Sequence, residues 1–169
     1  MTTTSLPSYL FVPQTAVSPL VSFRLLQPND LHALHQACFP ERPLNAFRRS
    51  FAQLLRRYET ERGFCLVAQT QAGLIGSGQL TIYPNGAELA NLIVVPAWRG
   101  QGVGTAIIGI LTAVAHHLQL PCLEIGVQND NPRAQALYER LGFVPDRPLD
   151  LPNRPPALIL RKQLPPNCN

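Results

Sequence analysis

The hydrophobic positions change period along the chain, and each change marks a different kind of element. Residues 21–26 form a short apolar run suited to a strand. Asn29 or Asp30 can cap a helix running to about Cys38, with Leu31, Leu34 and Phe39 on one face. The segment Phe39-Pro40-Glu41-Arg42-Pro43 reads as a rigid connector. From Leu44 to about Arg62, Phe47, Phe51, Leu54, Leu55 and Tyr58 recur at helical spacing, and Gly63 is placed to stop that helix. The period then drops to two. Residues 64–69, 74–83 and 87–95 are rich in strand formers, and Gln71-Ala72-Gly73 and Pro84-Asn85-Gly86 between them are hairpin chemistry. A helix from Gly102 to about Leu118, a strand over 122–127, a helix over 132–141 and a last strand over 157–162 complete the pattern. The expected fold is therefore α/β, a mixed sheet with an antiparallel meander followed by β-α-β-α-β and flanked by helices.

Composition narrows this. With 169 residues, 46% of them hydrophobic and 14% charged, the chain has room for one domain with a real core. Its 17 prolines outnumber its 11 glycines and leave three uninterrupted windows, 44–83, 97–120 and 133–144, where regular elements can run. Residues 1–19 are expected to be a flexible N-terminal tail and 20–169 a single domain. The stretch holding Pro145, Pro148, Pro152, Pro155 and Pro156 reads as a stiff, irregular loop.

The net charge of +4 invites a search for a polyanion partner. All basic residues but Lys162 are arginine, and the one dense group is Arg48, Arg49, Arg56, Arg57 and Arg62. A solvated helix face is the first reading, so nucleic acid is not the expected partner. An acidic substrate and a ribosomal surface stay open. Cys38, Cys65, Cys122 and Cys168 lack metal-ligand or CxxC spacing, so no metal and no disulfide framework is expected. No secretory signal is visible, and the longest apolar stretch, 103–115, is too short to span a bilayer. No membrane partner is expected, and a reducing cytoplasm fits these features.

The most informative stretch runs from Leu92, Ile93 and Val94 through Pro96 into Arg99-Gly100-Gln101-Gly102-Val103-Gly104-Thr105. A buried strand ends, a glycine-rich turn follows, and an apolar helix begins inside the turn. Glycines let a ligand approach the backbone, and the helix's first amides lack intrahelical partners, so the terminus suits phosphate. Arg99 adds a fixed positive charge at its edge. This stretch resembles the signature of the GNAT superfamily of acetyl-CoA-dependent N-acetyltransferases, Gln/Arg-x-x-Gly-x-Gly/Ala, with Arg99, Gly102 and Gly104 in the three positions. A second block resembles the same family's Asn-x-x-Ala-x-x-Leu-Tyr-x-x-Leu-Gly-Phe helix, matching at Asn131, Ala134, Leu137, Tyr138, Leu141, Gly142 and Phe143. Within the family the closest likeness is to the ribosomal-protein and peptide N-terminal acetyltransferases. The proline-rich stretch over 145–156 is longer and stiffer than that group suggests.

The resemblance implies acetyl-CoA as acyl donor, held by the loop 99–105, by the strand segment Leu92–Val94, and by Asn131 and Ala134. It implies transfer to a primary amine, on a protein N-terminus, a lysine or a small molecule, by direct attack in a ternary complex. Tyr138 takes the position of the acid that protonates the departing thiolate. Glu88, the only carboxylate between Glu61 and Glu124, stands where the N-terminal acetyltransferases carry the proposed base. The rival expectation is a non-catalytic acyl-CoA-binding regulator. Monomer and homodimer are both compatible with the sequence.

Overall fold

The computed structural model describes residues 17–150, 152 and 155–166. Along the chain it builds β1 (Ser22–Leu25), α1 (Leu31–Cys38), α2 (Leu44–Glu59), β2 (Gly63–Thr70), β3 (Gly73–Tyr83) and β4 (Gly86–Val94). Then come α3 (Val103–His117), β5 (Cys122–Gln128), α4 (Pro132–Arg140), β6 (Val144–Leu149) and β7 (Ala157–Gln163). The strands form one sheet in the order β1-β2-β3-β4-β5-β7-β6. Among the described residues only the β4–β5 pair is parallel, because it is joined by the crossover helix α3. The expected mixed sheet, meander first, is what the chain forms.

Strand alternation divides the core in two. Leu66, Leu80, Leu89, Leu123, Ile125 and Leu160 face α3, whose Val103, Ile107, Ile108 and Leu111 are buried against them, with Tyr138 and Phe143 in the same cluster. On the other face Cys65 and Val67 meet Leu34 and Cys38 of α1 and Phe47 and Phe51 of α2. Helix α1 lies against β3 and α2 against β2. The hairpin turns fall where Gly73 and Gly86 take positive φ values of 134° and 150°.

Three expectations are corrected. Helix α2 ends at Glu59, earlier than Arg62, because Glu61 turns left-handed at φ 56°. Gly63 therefore opens β2 rather than stopping the helix, and a Cβ there would sit 3.1 Å from the Leu80 carbonyl oxygen. Asp30 occupies the cap position of α1 without capping it. Its carboxylate instead takes two hydrogen bonds from Arg24, at 2.6 and 2.8 Å, and one from the Gln27 amide at 2.8 Å. The third correction is β6. Residues 144–149, expected as irregular loop, pair with β7 even though they include Pro145 and Pro148. Proline is tolerated there because β6 is the sheet's outer strand. The predicted tail falls mostly on residues 1–16, which lie outside the described residues, as does Cys168.

Gly78 shows how closely α3 sits on the sheet. A Cβ at this position would overlap Ile107 Cγ2 and come within 3.2 Å of Leu92 and 3.3 Å of Leu111. Gly78→Ala is expected to cost about 1–3 kcal/mol of stability, the usual penalty for overpacking a dense core. Chemical denaturation of the two proteins measures it.

Candidate active site

The parallel pair β4–β5 is short. It holds from Ala87 opposite Leu123 to Leu89 opposite Ile125, and then stops. Past that point β4 runs on to Val94 and β5 to Gln128 with no pairing between them. The cause lies in β4. Against β3, Gln79 faces Ala90 and Ser77 faces Ile93, so Asn91 and Leu92 together oppose Gly78 in a bulge, with Asn91 at φ 49°. Asparagine takes this left-handed conformation at low cost. The bulge swings the end of β4 off β5 and leaves one edge of Leu92, Ile93 and Val94 facing the gap. Backbone groups on such an edge are suited to hydrogen-bond an extended, amide-bearing arm.

At the end of β4, Pro96–Trp98 forms one turn of 3-10 helix. Gly100 and Gly102 then take left-handed φ values of 78° and 81°, and α3 starts at Val103 with Gly102 as its cap. The first amide to find a helical acceptor is that of Ala106, on the Gly102 carbonyl at 2.9 Å. The amides of Val103, Gly104 and Thr105 come before it, at the positive end of the helix dipole. A methyl group at Gly104 would meet Val94 at 3.7 Å and Leu137 at 4.0 Å, ordinary contacts, so alanine fits there as well. Arg99 is exposed, and its Nε donates to the Val94 carbonyl at 2.9 Å, which ties the loop back to the strand. Gln101 donates through Nε2 to the Ala97 carbonyl at 2.9 Å and so ties the loop to the 3-10 turn. Sequence reasoning gave Arg133 no role. Its Nη2 lies 3.6 Å from the position of a Cβ on Gly100, so a second guanidinium stands over the loop.

Asn131 caps α4: its Oδ1 accepts from the Ala134 amide at 3.1 Å, and Pro132 takes the first helical position. Tyr138, in the last turns of α4, is 7% exposed and packs edge-on against Phe143 with ring centres 6.3 Å apart. Burial pushes its phenol above the ordinary range. The hydroxyl therefore keeps its proton through neutral and mildly alkaline pH.

Glu88 is half-buried and belongs to a row that crosses four strands on the face opposite α3. Thr81 pairs with Glu88, Glu88 with Glu124, and Glu124 with Arg161. Tyr83 donates its hydroxyl to Glu88 Oε2 at 3.3 Å. Arg147 of β6 holds Glu124 with two hydrogen bonds of 2.7 and 3.0 Å, and this keeps the Glu124 carboxyl below its ordinary range. Leu89, next to Glu88, points into the core cluster that contains Tyr138. Glu88 and Tyr138 thus belong to opposite faces of the sheet, next to the strand pair that parts after Leu89. The loop 99–105 meets the end of β4 and α4: a Cβ on Gly104 would lie 3.7 Å from Val94 and 4.0 Å from Leu137, and one on Gly100 3.6 Å from Arg133.

A buried polar ladder was also missed. On β3, Ser77, Gln79 and Thr81 are 2%, 9% and 4% exposed and point toward α1 and α2. Asn91 donates to Gln79 Oε1 at 2.9 Å, and Gln79 donates on to Thr81 Oγ1 at 3.1 Å. Arg57 of α2 reaches the same hydroxyl at 3.3 Å. Polar residues at every second position of an otherwise apolar strand were the available signal. Ser77, Gln79 and Asn91 floor a cavity of about 30 Å³ walled by Phe39, Phe47 and Phe51. That is room for about one water or one amine. Cys38 and Cys65 are buried on this side, and desolvation pushes their thiols up to about 11 and about 12. Such thiols carry almost no thiolate at neutral pH. Among the described residues no three His, Cys, Asp or Glu side chains come together as a metal group, and no helix is long and apolar enough to cross a membrane.

A sequence model described as the acetyltransferase (GNAT) family matches residues 29–143, well over half of the chain. No curated protein matches it. Solved structures do. The ribosomal-protein-S18-alanine N-acetyltransferase from Escherichia coli superposes with a TM-score of 0.70 at 21% identity, over 85% of this chain and 95% of that one. RimL, a ribosomal alpha-N-protein acetyltransferase in complex with coenzyme A, gives 0.74 at 15% identity, over 88% and 96%. A mutant of the spermidine N-acetyltransferase SpeG from Vibrio cholerae gives 0.70 at 20% identity, over 86% and 95%. At these identities the likeness is one of fold.

Proposed function

The chain belongs to the acetyltransferase (GNAT) family, an acetyl-CoA-dependent family, and from that premise we propose that it acetylates a primary amine by direct attack within a ternary complex. The acceptor is a protein N-terminus, a lysine side chain or a small amine. The observation that carries the proposal is the wedge: β4 leaves β5 after Leu89, beside a left-handed glycine loop that opens α3.

Acetyl-CoA supplies the thioester and a pyrophosphate by which it can be gripped. The amides of Val103, Gly104 and Thr105 receive phosphate oxygens, with the guanidiniums of Arg99 and Arg133 beside them. Gly100, Gln101 and Gly102 keep the backbone close to the ligand. The free edge of Leu92–Val94 and the amide nitrogen of Asn131 hold the arm, with Ala134 leaving room beside it, and donors on that edge polarise the thioester carbonyl. Most amine acceptors are ammonium at neutral pH, with pKa values of about 8–10, so a proton must leave before attack. Glu88 accepts it, directly or through one water. The amine nitrogen then bonds to the acetyl carbon and releases its second proton to water, the carbon–sulfur bond breaks, and the sulfur takes the hydroxyl proton of Tyr138. Solvent protons restore the tyrosine.

The grip on phosphate is testable through Gly102. A valine there must adopt φ near 81°, which costs about 1–2 kcal/mol or more and moves the first turn of α3. Since 1.4 kcal/mol is about tenfold in affinity, Gly102→Val should weaken acetyl-CoA binding at least about tenfold. Titration calorimetry reads this directly. Unchanged affinity would show that the cofactor does not use this loop.

A further inference from the structure

The outer side of α2 carries an excess of charge that acetyl-CoA binding does not use. Residues 44–59 hold four arginines against one glutamate, three of the chain's four net positive charges. Arg49 and Arg56 are exposed and, with Arg42, line a shallow groove of about 500 Å³. The rest of its surface comes from small or neutral residues, Ala46, Ser50 and Gln53 among them.

Two of the groove's residues also line the cavity at the β4 bulge. Arg42 and Ser50 belong to both. Arg42 is held at this junction, its guanidinium 5.6 Å from the ring centres of both Phe39 and Phe47 and donating to Ser50 Oγ at 3.1 Å. A chain whose end lies near Asn91 and whose body leaves past Arg42 therefore runs onto the arginines of α2. Arg49 and Arg56 are seven residues apart in the helix, about 10 Å. An extended peptide covers that distance in about three residues.

We propose that this surface recognises the acidic body of a polypeptide acceptor, with carboxylates spaced about three residues apart downstream of the acetylated amine. The inference rests on the amine-acetylation reading and adds the substrate class. Exposed guanidiniums bind carboxylates as bidentate forks. Nucleic acid is the less fitting occupant, because single strands need aromatic platforms for their bases. Neither ring inside the arginine group is free to stack: Phe51 is buried in the core, and Tyr58 is packed edge-on against Phe64 at 6.0 Å.

The test uses decapeptides that share their first three residues and carry aspartates, serines or lysines at every third position after them. Thiol release from acetyl-CoA gives kcat and KM for each. The aspartate peptide should show a KM about tenfold or more below the serine peptide, an advantage that disappears in Arg49→Ala/Arg56→Ala and shrinks at high salt. The double variant should keep the parent's kcat on the serine peptide. Equal KM values for the aspartate and serine peptides, or a preference that survives in the double variant, overturn the inference and leave amine acetylation standing. If no peptide turns over while a small amine does, the polypeptide acceptor is wrong but the enzyme is not. Fluorescence anisotropy with labelled aspartate peptide and labelled oligouridylate provides a second reading. Tighter binding of the oligouridylate, lost in the double variant, would assign the groove to nucleic acid instead.

Discussion

Tyr138→Phe is expected to lower kcat about 100-fold while changing the affinity for acetyl-CoA less than about twofold. The argument separates the ring from the hydroxyl. The ring is buried in the main cluster against Phe143, and phenylalanine fills the same volume, so fold and cofactor grip stay intact. Only the proton donor is removed. A positioned general acid contributes about 10²–10⁴ in rate, and the lower end suits a thiolate, a moderately good leaving group without help. The pH profile carries a second signature. Burial raises the phenol's pKa, so it is fully protonated below the ordinary value of about 10 and loses its proton only above it. The parent's kcat should therefore hold through mildly alkaline pH with no fall assignable to Tyr138. Equal turnover in parent and variant would remove Tyr138 from the reaction, and a matching loss of thermal stability would make its role structural.

Glu88→Gln is the second large effect. Glutamine keeps the shape of the side chain and can still accept from Tyr83, so Thr81, Glu88 and Glu124 remain a packed row. What is lost is an acceptor for the amine's proton. At neutral pH kcat/KM should fall about 100-fold, within the usual range for removing a general base. As pH rises the difference should narrow, because the amine then loses its proton without help. The limb of the parent profile that rises with pH should therefore shift to higher pH in the variant, where only the amine's own titration sets it. A superimposable profile would move the base to another residue or to solvent.

Tyr138 and Glu88 were singled out by the family resemblance, and the motifs that carry that resemblance are legible in the sequence. The reason is that glycine turns, an Asn-Pro helix start and a Tyr-x-x-Leu-Gly-Phe helix end each impose a local geometry. Gly100 and Gly102 take positive φ, Asn131 caps α4 through Ala134, and Gly142 turns left-handed after it at φ 87°. The meander was legible for the same reason, since Gly73 and Gly86 supply its turns. What was not legible depends on partners far away in sequence. Pro145 and Pro148 are compatible with a strand only because β6 lies on the sheet's edge, and no local pattern reveals an edge. The bulge at Asn91 exists because β3 and β4 differ by one residue between Ser77 and Gln79, a mismatch of register between strands. Arg133 faces Gly100 only once α4 has docked beside the start of α3. The end of α2 at Glu59 reflects a competition that helix propensity alone does not decide, since β2 claims Gly63 for its close approach to Leu80.

The wedge, the loop and the roles proposed for Glu88 and Tyr138 give the central claim, which is acetyl transfer to an amine without a covalent intermediate on the protein. Mass spectrometry tests it most directly, applied to the protein alone, to protein with acetyl-CoA, and to both with a panel of peptide N-termini, lysine peptides and small amines. The predicted result is one acetyl group on an amine nitrogen of an acceptor for each thiol released, and no acetyl group on the protein when the acceptor is left out. Tight acetyl-CoA binding with every acceptor unmodified would contradict the claim in favour of an acyl-CoA-binding regulator, and an acetylated protein competent to pass its acetyl group on would contradict the ternary complex.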